Sequence, residues 1–186
     1  MPSFASTPTL PVRAVIALGS NVPERISWLQ CGLGSLRKAA GIEVLSFSRV
    51  YESAPVGEGL SGDFLNAAIA CDTIISPGAL LETCRRVEAL CGRDRGVHMR
   101  VLEHVDGVAA QNRTLDCDII FYGDANMEEP DLQIPHPRWH ERAFVILPLL
   151  DLIEDLTEGQ KRMVEEAAKD ISDLKASCRM VDNVLY

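Results

Sequence analysis

Hydrophobic and polar positions change period several times along the chain, and each change marks an element. Val12 to Leu18 is a nearly continuous apolar run that stops at Gly19-Ser20-Asn21, as a buried strand ending in a turn would. From Pro23 to Ala40 the period becomes helical, with Ile26, Leu29, Leu33, Leu36 and Ala40 on one side. Asn21 and Glu24 offer a capping pair for that helix, and Gly41 can close it in a left-handed conformation. Glu43 to Tyr51, dense in β-branched and aromatic residues, gives a strand that ends before the Ser53-Ala54-Pro55-Val56-Gly57 loop. Phe64 to Ile75 alternates, placing Leu65, Ala67, Ile69 and Cys71 on one face and Phe64, Asn66, Ala68 and Ala70 on the other. Ser76-Pro77 caps a second helix that runs through Leu80, Cys84, Val87 and Cys91 to Gly92.

Residues 93–112 show no period, and a loop of that length inside a compact domain is usually functional. Arg113 to Tyr122 resumes as a strand, Glu141 to Leu152 reads as a short apolar helix, and Gln160 to Leu174 as an amphipathic one. The order strand, helix, strand, strand, helix, strand predicts an α+β ferredoxin-like sandwich: a mainly antiparallel sheet with helices on one face, here with extra C-terminal helices. A chain of 186 residues fits a single domain, with 1–11 a flexible leader, 12–152 the core and 153–186 a C-terminal helical extension.

Composition narrows the partners. A net charge of -9 argues against tracking a nucleic-acid backbone. The first eleven residues lack a signal-peptide pattern and no apolar run is long enough to span a bilayer, so a cytoplasmic protein without a membrane partner is expected, as a monomer or weak homo-oligomer. The six cysteines form no C-x-x-C pair and read as buried, reduced thiols.

Asp116 and Asp118 lie two apart in an apolar strand, so both side chains emerge on one face with Cα atoms about 6.5 to 7 Å apart. Mg2+ held by one or two carboxylates plus phosphates offsets the repulsion and desolvation of such a pair. Standing alone, the pair admits a second reading, with one aspartate exposed at a strand end and the other paired with arginine. All eight basic residues from Arg85 to Arg142 are arginine, among them Arg93, Arg95, Arg100 and Arg113 around the long loop. Guanidinium grips phosphate oxygens in a bidentate way, although solvated arginines are the plainer alternative. Phe64, Asn66 and Phe144 suit either a slot for a flat heterocycle or core packing. Gly19-Ser20-Asn21 precedes a helix and could help bind an anion, but no Walker A lysine follows. Prolines flank His136 and fix its direction, while Arg142 opens an apolar helix, an odd place for a cation unless an anion meets it.

Taken together, Ile16-Ala-Leu-Gly-Ser-Asn21, Tyr51-Glu-Ser-Ala-Pro-Val-Gly57, Phe64-Leu-Asn-Ala-Ala68, Gly92-Arg93, Arg113-Thr-Leu-Asp-Cys-Asp118 and Pro135-His-Pro-Arg-Trp-His-Glu-Arg-Ala-Phe144 resemble the 6-hydroxymethyl-7,8-dihydropterin pyrophosphokinase family. The resemblance implies transfer of pyrophosphate from the co-substrate ATP to the hydroxymethyl oxygen of the pterin, releasing AMP, in folate biosynthesis. By the same matching, two Mg2+ ions are held by Asp116 and Asp118, and Arg93 and Arg113 stabilise charge shifted toward AMP. Ser53, Ala54, Val56, Gly57, Phe64, Asn66 and Phe144 then bind the pterin. Arg85, Glu88, Arg95, Arg113, Ile119, His136 and Arg142 line the nucleotide site. In-line attack at the β-phosphorus, with no covalent intermediate, follows as the expected chemistry.

The long loop departs from the family pattern: Ala110-Gln111-Asn112 stands where a tryptophan and Gly-Pro are usual, and the loop is longer. A more mobile lid is the expectation. Two alternatives accompany the main reading: the same fold with an altered acceptor or impaired activity, and a non-enzymatic ferredoxin-like binding module.

Overall fold

The computed structural model describes residues 7–56, 62–93, 112–171, 178–181 and 185. Strands β1 (Val12–Ser20), β2 (Ile42–Phe47), β3 (Val50–Ser53), β4 (Phe64–Thr73), β5 (Asp116–Tyr122) and β8 (Cys178–Val181) form one sheet. Its order is β5-β1-β4-β3-β8, β2 also pairs with β4, and every pairing is antiparallel. The helices are α1 (Arg25–Arg37), α2 (Pro77–Leu90), α3 (Ala143–Asp151) and α4 (Glu158–Asp170), and β6 (Met127–Glu129) and β7 (Leu132–Ile134) make a separate hairpin. The α+β class and the antiparallel sheet are as the sequence predicts.

Helices cover both faces of the sheet rather than one. Ala14, Ile16, Leu18, Leu65, Ala67 and Ile69 point toward α1 and α2, where Leu29, Leu33, Leu36, Leu80 and Val87 meet them. Val15, Ala68, Ala70, Ile120 and Phe121 point the other way, and Trp139, Val145, Ile146, Leu149 and Val164 bury them. The cause lies in β1 and β4, which are apolar or small on both faces, so one helical layer would leave a hydrophobic surface in water. The C-terminal helices are therefore the second layer. Thr157 and Gln160 start α4 with a reciprocal capping box, and buried Gln160 donates to the carbonyls of Arg13 and Gly123.

Local differences have local reasons. The strand expected over Glu43–Tyr51 breaks into β2 and β3 because the Ser48 hydroxyl takes over the ladder: its Oγ accepts from the Ala68 N–H at 2.9 Å and donates to the Arg49 carbonyl at 2.7 Å. α1 begins at Arg25 without a side-chain cap; Glu24 adopts a left-handed φ of 68°, and the Asn21 amide is engaged elsewhere. Gly41 supplies the left-handed turn expected after α1, Gly92 adopts the same conformation where α2 ends, and Ser76 caps α2 by accepting from the Ala79 N–H. Cys31 and Cys91 correct the expectation of free thiols. α1 lies against the end of α2, bringing their Cα atoms to 6.1 Å, and they form a disulfide. Cys71, Cys84 and Cys117 are buried and free. Among the described residues no helix is long and apolar enough to cross a membrane.

Candidate active site

Sheet register assembles the site. One row across β5, β1, β4 and β3 reads Asp116, Gly19, Asn66, Tyr51, and the next reads Asp118, Ala17, Ala68. All face the α3 side. Further along, an extra residue in β5, Ile120, lets Phe121 share that face opposite Val15, where α3 and Trp139 cover the sheet. Gly19 and Ala17 are too small to fill the uncovered end, and a cavity of about 400 Å3 stands above them.

Ser53, Ala54, Val56, Phe64, Asn66 and Phe144 wall one part of this cavity; Arg93, Arg113, Asp116, Asp118, His136, Arg138 and Arg142 wall the rest. The Asn66 amide donates to Ser53 Oγ at 3.0 Å and to the Tyr51 carbonyl at 3.3 Å. Its Oδ1 lies 3.5 Å from where a Cβ on Gly19 would stand, at the cavity floor. The Arg142 guanidinium lies 5.6 Å from the Phe144 ring centre, so the cationic and aromatic parts adjoin.

The two aspartates differ in partners. Asp116 accepts from Arg93 at 2.7 Å and from Arg113. Burial pushes its pKa up, but the charges of Arg113 and Arg93 outweigh that and hold it below the usual carboxylate range. Asp118 makes no hydrogen bond or ion pair with a described residue, and burial together with the charges of Asp116 and Glu88 pushes it up to about 7. Burial and then the neighbouring charges of Arg142 and Arg138 hold His136 below its usual pKa, so its imidazole is neutral. Arg138 and Arg142 have no carboxylate partner among the described residues, and burial followed by Arg138 lowers the Arg142 pKa. A cation pair of this kind facing a cavity suits an anion.

Asn21 anchors the strand that carries the aspartates. Its Oδ1 accepts from the Arg113 N–H at 2.7 Å and its own N–H donates back to the Arg113 carbonyl at 3.2 Å. The turn before α1 thus fixes Arg113 rather than lying open to an anion. Glu88 sits behind the cavity, where its carboxylate accepts from Arg93 and from the Cys117 N–H. The Ile119 side chain packs on the opposite face with α1 and α2. Arg85 is outside the cavity, paired with Glu82 and Asp131. Gly57, Arg95 and residues 94–111 of the long loop fall outside the described residues. Arg138 and the floor residue Ala17 were given no role from the sequence, although Arg138 follows His136 by two positions in the same arginine-only stretch; Gly19, read there as part of an anion-binding turn, is instead cavity floor.

Among the described residues no group of three or more His, Cys, Asp or Glu could hold a metal. Asp118, with no hydrogen-bond or ion-pair partner among the described residues, nevertheless fits beside Asp116 a hard dication that completes its shell with phosphate oxygens and water, the usual habit of Mg2+.

Residues 15–154 match the model of the family described as 7,8-dihydro-6-hydroxymethylpterin-pyrophosphokinase (HPPK). The 2-amino-4-hydroxy-6-hydroxymethyldihydropteridine pyrophosphokinase of Bacillus subtilis (strain 168) is 35% identical over 143 residues, 77% of this chain and 79% of that protein. The protein of the same name from Methylorubrum extorquens is 36% identical, covering 84% of this chain and 92% of its own, and that of Haemophilus influenzae is 32% identical, covering 88% and 96%. Among solved structures, a Plasmodium falciparum HPPK-DHPS triple mutant with STZ-DHP superposes with a TM-score of 0.63 at 14% identity. That match covers 95% of this chain and 48% of the other, and it shows a shared fold.

Proposed function

The chain belongs to the 7,8-dihydro-6-hydroxymethylpterin pyrophosphokinase family, and we propose that the cavity over Gly19 and Ala17 is where its reaction takes place. The protein is an ATP-dependent pyrophosphokinase: it transfers pyrophosphate from ATP to 6-hydroxymethyl-7,8-dihydropterin, giving the pterin diphosphate and AMP in folate biosynthesis. The observation that carries the assignment is the junction, in one cavity, of an unpartnered carboxylate beside a second one, a set of arginines, and an aromatic slot with a buried amide.

Phe64 and Phe144 hold the pterin ring, Asn66 offers Oδ1 to its N–H edge, and Ser53, Ala54 and Val56 close that side. Arg142, Arg138 and neutral His136 bind the nucleotide phosphates; Arg95 is assigned to them on the family resemblance alone. Asp116 and Asp118 hold two Mg2+ ions, which when bound neutralise and orient the phosphate oxygens and hold Asp118 ionised. Arg93, steadied by Glu88, and Arg113 stabilise charge moving toward the AMP leaving group. No side chain is needed as a covalent nucleophile; alignment of the hydroxymethyl oxygen with the β-phosphorus supplies much of the rate. Ile119, buried in the core on the opposite face, and Arg85, paired with Glu82 and Asp131, stand apart from this cavity.

A single domain with the C-terminal segment packed on the core, a cytoplasmic location, and a monomeric or weakly associating state complete the proposal. The test is AMP release from ATP with hydroxymethyldihydropterin and Mg2+, by wild type and Asp118→Asn. Wild-type release that needs all three components, and its loss in the variant, is the expected result. Unchanged release by Asp118→Asn would overturn the metal assignment.

A further inference from the structure

Ser53 and Phe64 are the last paired residues of the β3–β4 ladder, and both wall the pterin end of the cavity. Among the described residues no further β3–β4 pairing lies beyond them. The reverse face carries a different device. Glu52 and Asp63, the neighbours of this pair, meet Arg25 in the first turn of α1. One guanidinium nitrogen pairs with Glu52 Oε1 at 2.9 Å, and the other donates to the Asp63 carbonyl at 2.7 Å. α1 is itself fixed to the core by buried Leu29, Leu33 and Leu36. The second Glu52 oxygen accepts from Arg179 of β8, a strand that pairs with β3 from Val50 to Ser53.

We propose that Arg25, through Glu52 and the Asp63 carbonyl, is a positioning residue for pterin binding, with Arg179 holding Glu52 in place from the other side. The inference rests on the assignment of this cavity end to the pterin. Because the planar fork bonds the residues next to Ser53 and Phe64 at once, it braces this last pair of the ladder and, through Ser53 Oγ, the orientation of the Asn66 amide. Among the described residues Arg25 is absent from the cavity wall and bonds no phosphate-facing group, so its effect is confined to one substrate.

Steady-state kinetics with each substrate varied separately provide the test. Arg25→Ala raises KM for hydroxymethyldihydropterin about tenfold, the scale of a lost charge-assisted bond, and leaves KM for ATP and kcat within twofold. Arg25→Lys, which keeps the charge and a single-point donor, recovers part of the loss. Glu52→Gln moves the same KM in the same direction, whereas Asp63→Ala is silent because the acceptor is the backbone. If Arg25→Ala fails to fold, Arg179→Ala, at a side chain 76% exposed, carries the test with a smaller shift of the same sign. An unmoved pterin KM, or equal shifts in both KM values, overturns the proposal. Absence of pterin-dependent AMP release by wild type would instead sink the assignment of the cavity, and this inference with it.

Discussion

Asp116 and Asp118 stand two residues apart on one face of β5, yet Asp116 is bracketed by the guanidiniums of Arg93 and Arg113 while Asp118 bonds neither. The sheet puts them side by side and the arginines tell them apart. The two guanidiniums hold the Asp116 carboxyl below the usual range, whereas Asp118, with no such partner among the described residues, is pushed up to about 7.

Asp118→Asn should therefore remove Mg2+-dependent activity without disturbing the arginine cluster. Loss of a metal ligand weakens activity by about a hundredfold or more. Titration of Mg2+ against AMP release checks this, and a variant with the wild-type Mg2+ requirement would contradict it.

The ligand-free protein should grow less stable as pH rises from about 4 toward 7 on account of Asp118. Its folded pKa of about 7 lies above the ordinary value near 3.9, so in that window the native state keeps a proton that the unfolded chain has released. Asp116 is shifted the opposite way, and its stabilisation is lost only as pH falls below the ordinary carboxylate range. Urea midpoints at pH 5 and pH 7.5 should fall for wild type and change less for Asp118→Asn; a steeper slope in the variant would refute the assignment.

Gly19→Ala separates stability from binding. The backbone at Gly19 has no positive φ, and a Cβ there meets Asn66 Oδ1 at an ordinary 3.5 Å. The substitution should add about 0.5 to 1 kcal/mol of stability by restricting the unfolded chain. Its methyl group nevertheless enters the cavity floor, and KM for the pterin should rise. A variant that is both less stable and unaltered in KM would show the floor to be placed wrongly.

Arg142→Ala and Arg85→Ala should diverge. Arg142 faces the cavity without a carboxylate partner among the described residues, and a lost charge-assisted bond to phosphate is worth about 1.5–3 kcal/mol, which is roughly a tenfold to hundredfold rise in KM for ATP. Arg85 is paired with Glu82 and Asp131 away from the cavity and should change that KM by little.

Reduction of the Cys31–Cys91 disulfide should lower stability. The cysteines are 60 residues apart, and closing a loop of that length destabilises the unfolded chain by about 4 kcal/mol. A reducing cytoplasm would hold the pair as thiols, so melting with and without dithiothreitol compares the two forms directly. Cys91→Ala should abolish the difference.

Much of this was legible in the sequence because it depends on period two. The alternation of β4 placed Leu65 and Ala67 against Phe64 and Asn66, and the two-residue spacing put Asp116 and Asp118 on one face. The rest depends on partners distant in the chain. Asn21 looks like a helix cap until Arg113, 92 residues on, claims its side chain. β8 has no apolar alternation to announce it, since its pairing with β3 is supported by Arg179 and Glu52. The second helical layer was under-read because a run of small residues in β1 and β4 does not say how much of each face will be covered. Nor does spacing reveal which aspartate the arginines will choose.

The shortness of α3 has a consequence for how far this fold can be hardened. The helix spans nine residues and begins at Ala143, directly after the Arg142 that faces the cavity. A protein that covered Ala17 and Gly19 with further apolar side chains would be better packed and would leave nowhere for a substrate to sit. The open end of the sheet is stability withheld, and selection for thermal robustness alone would tend to close it.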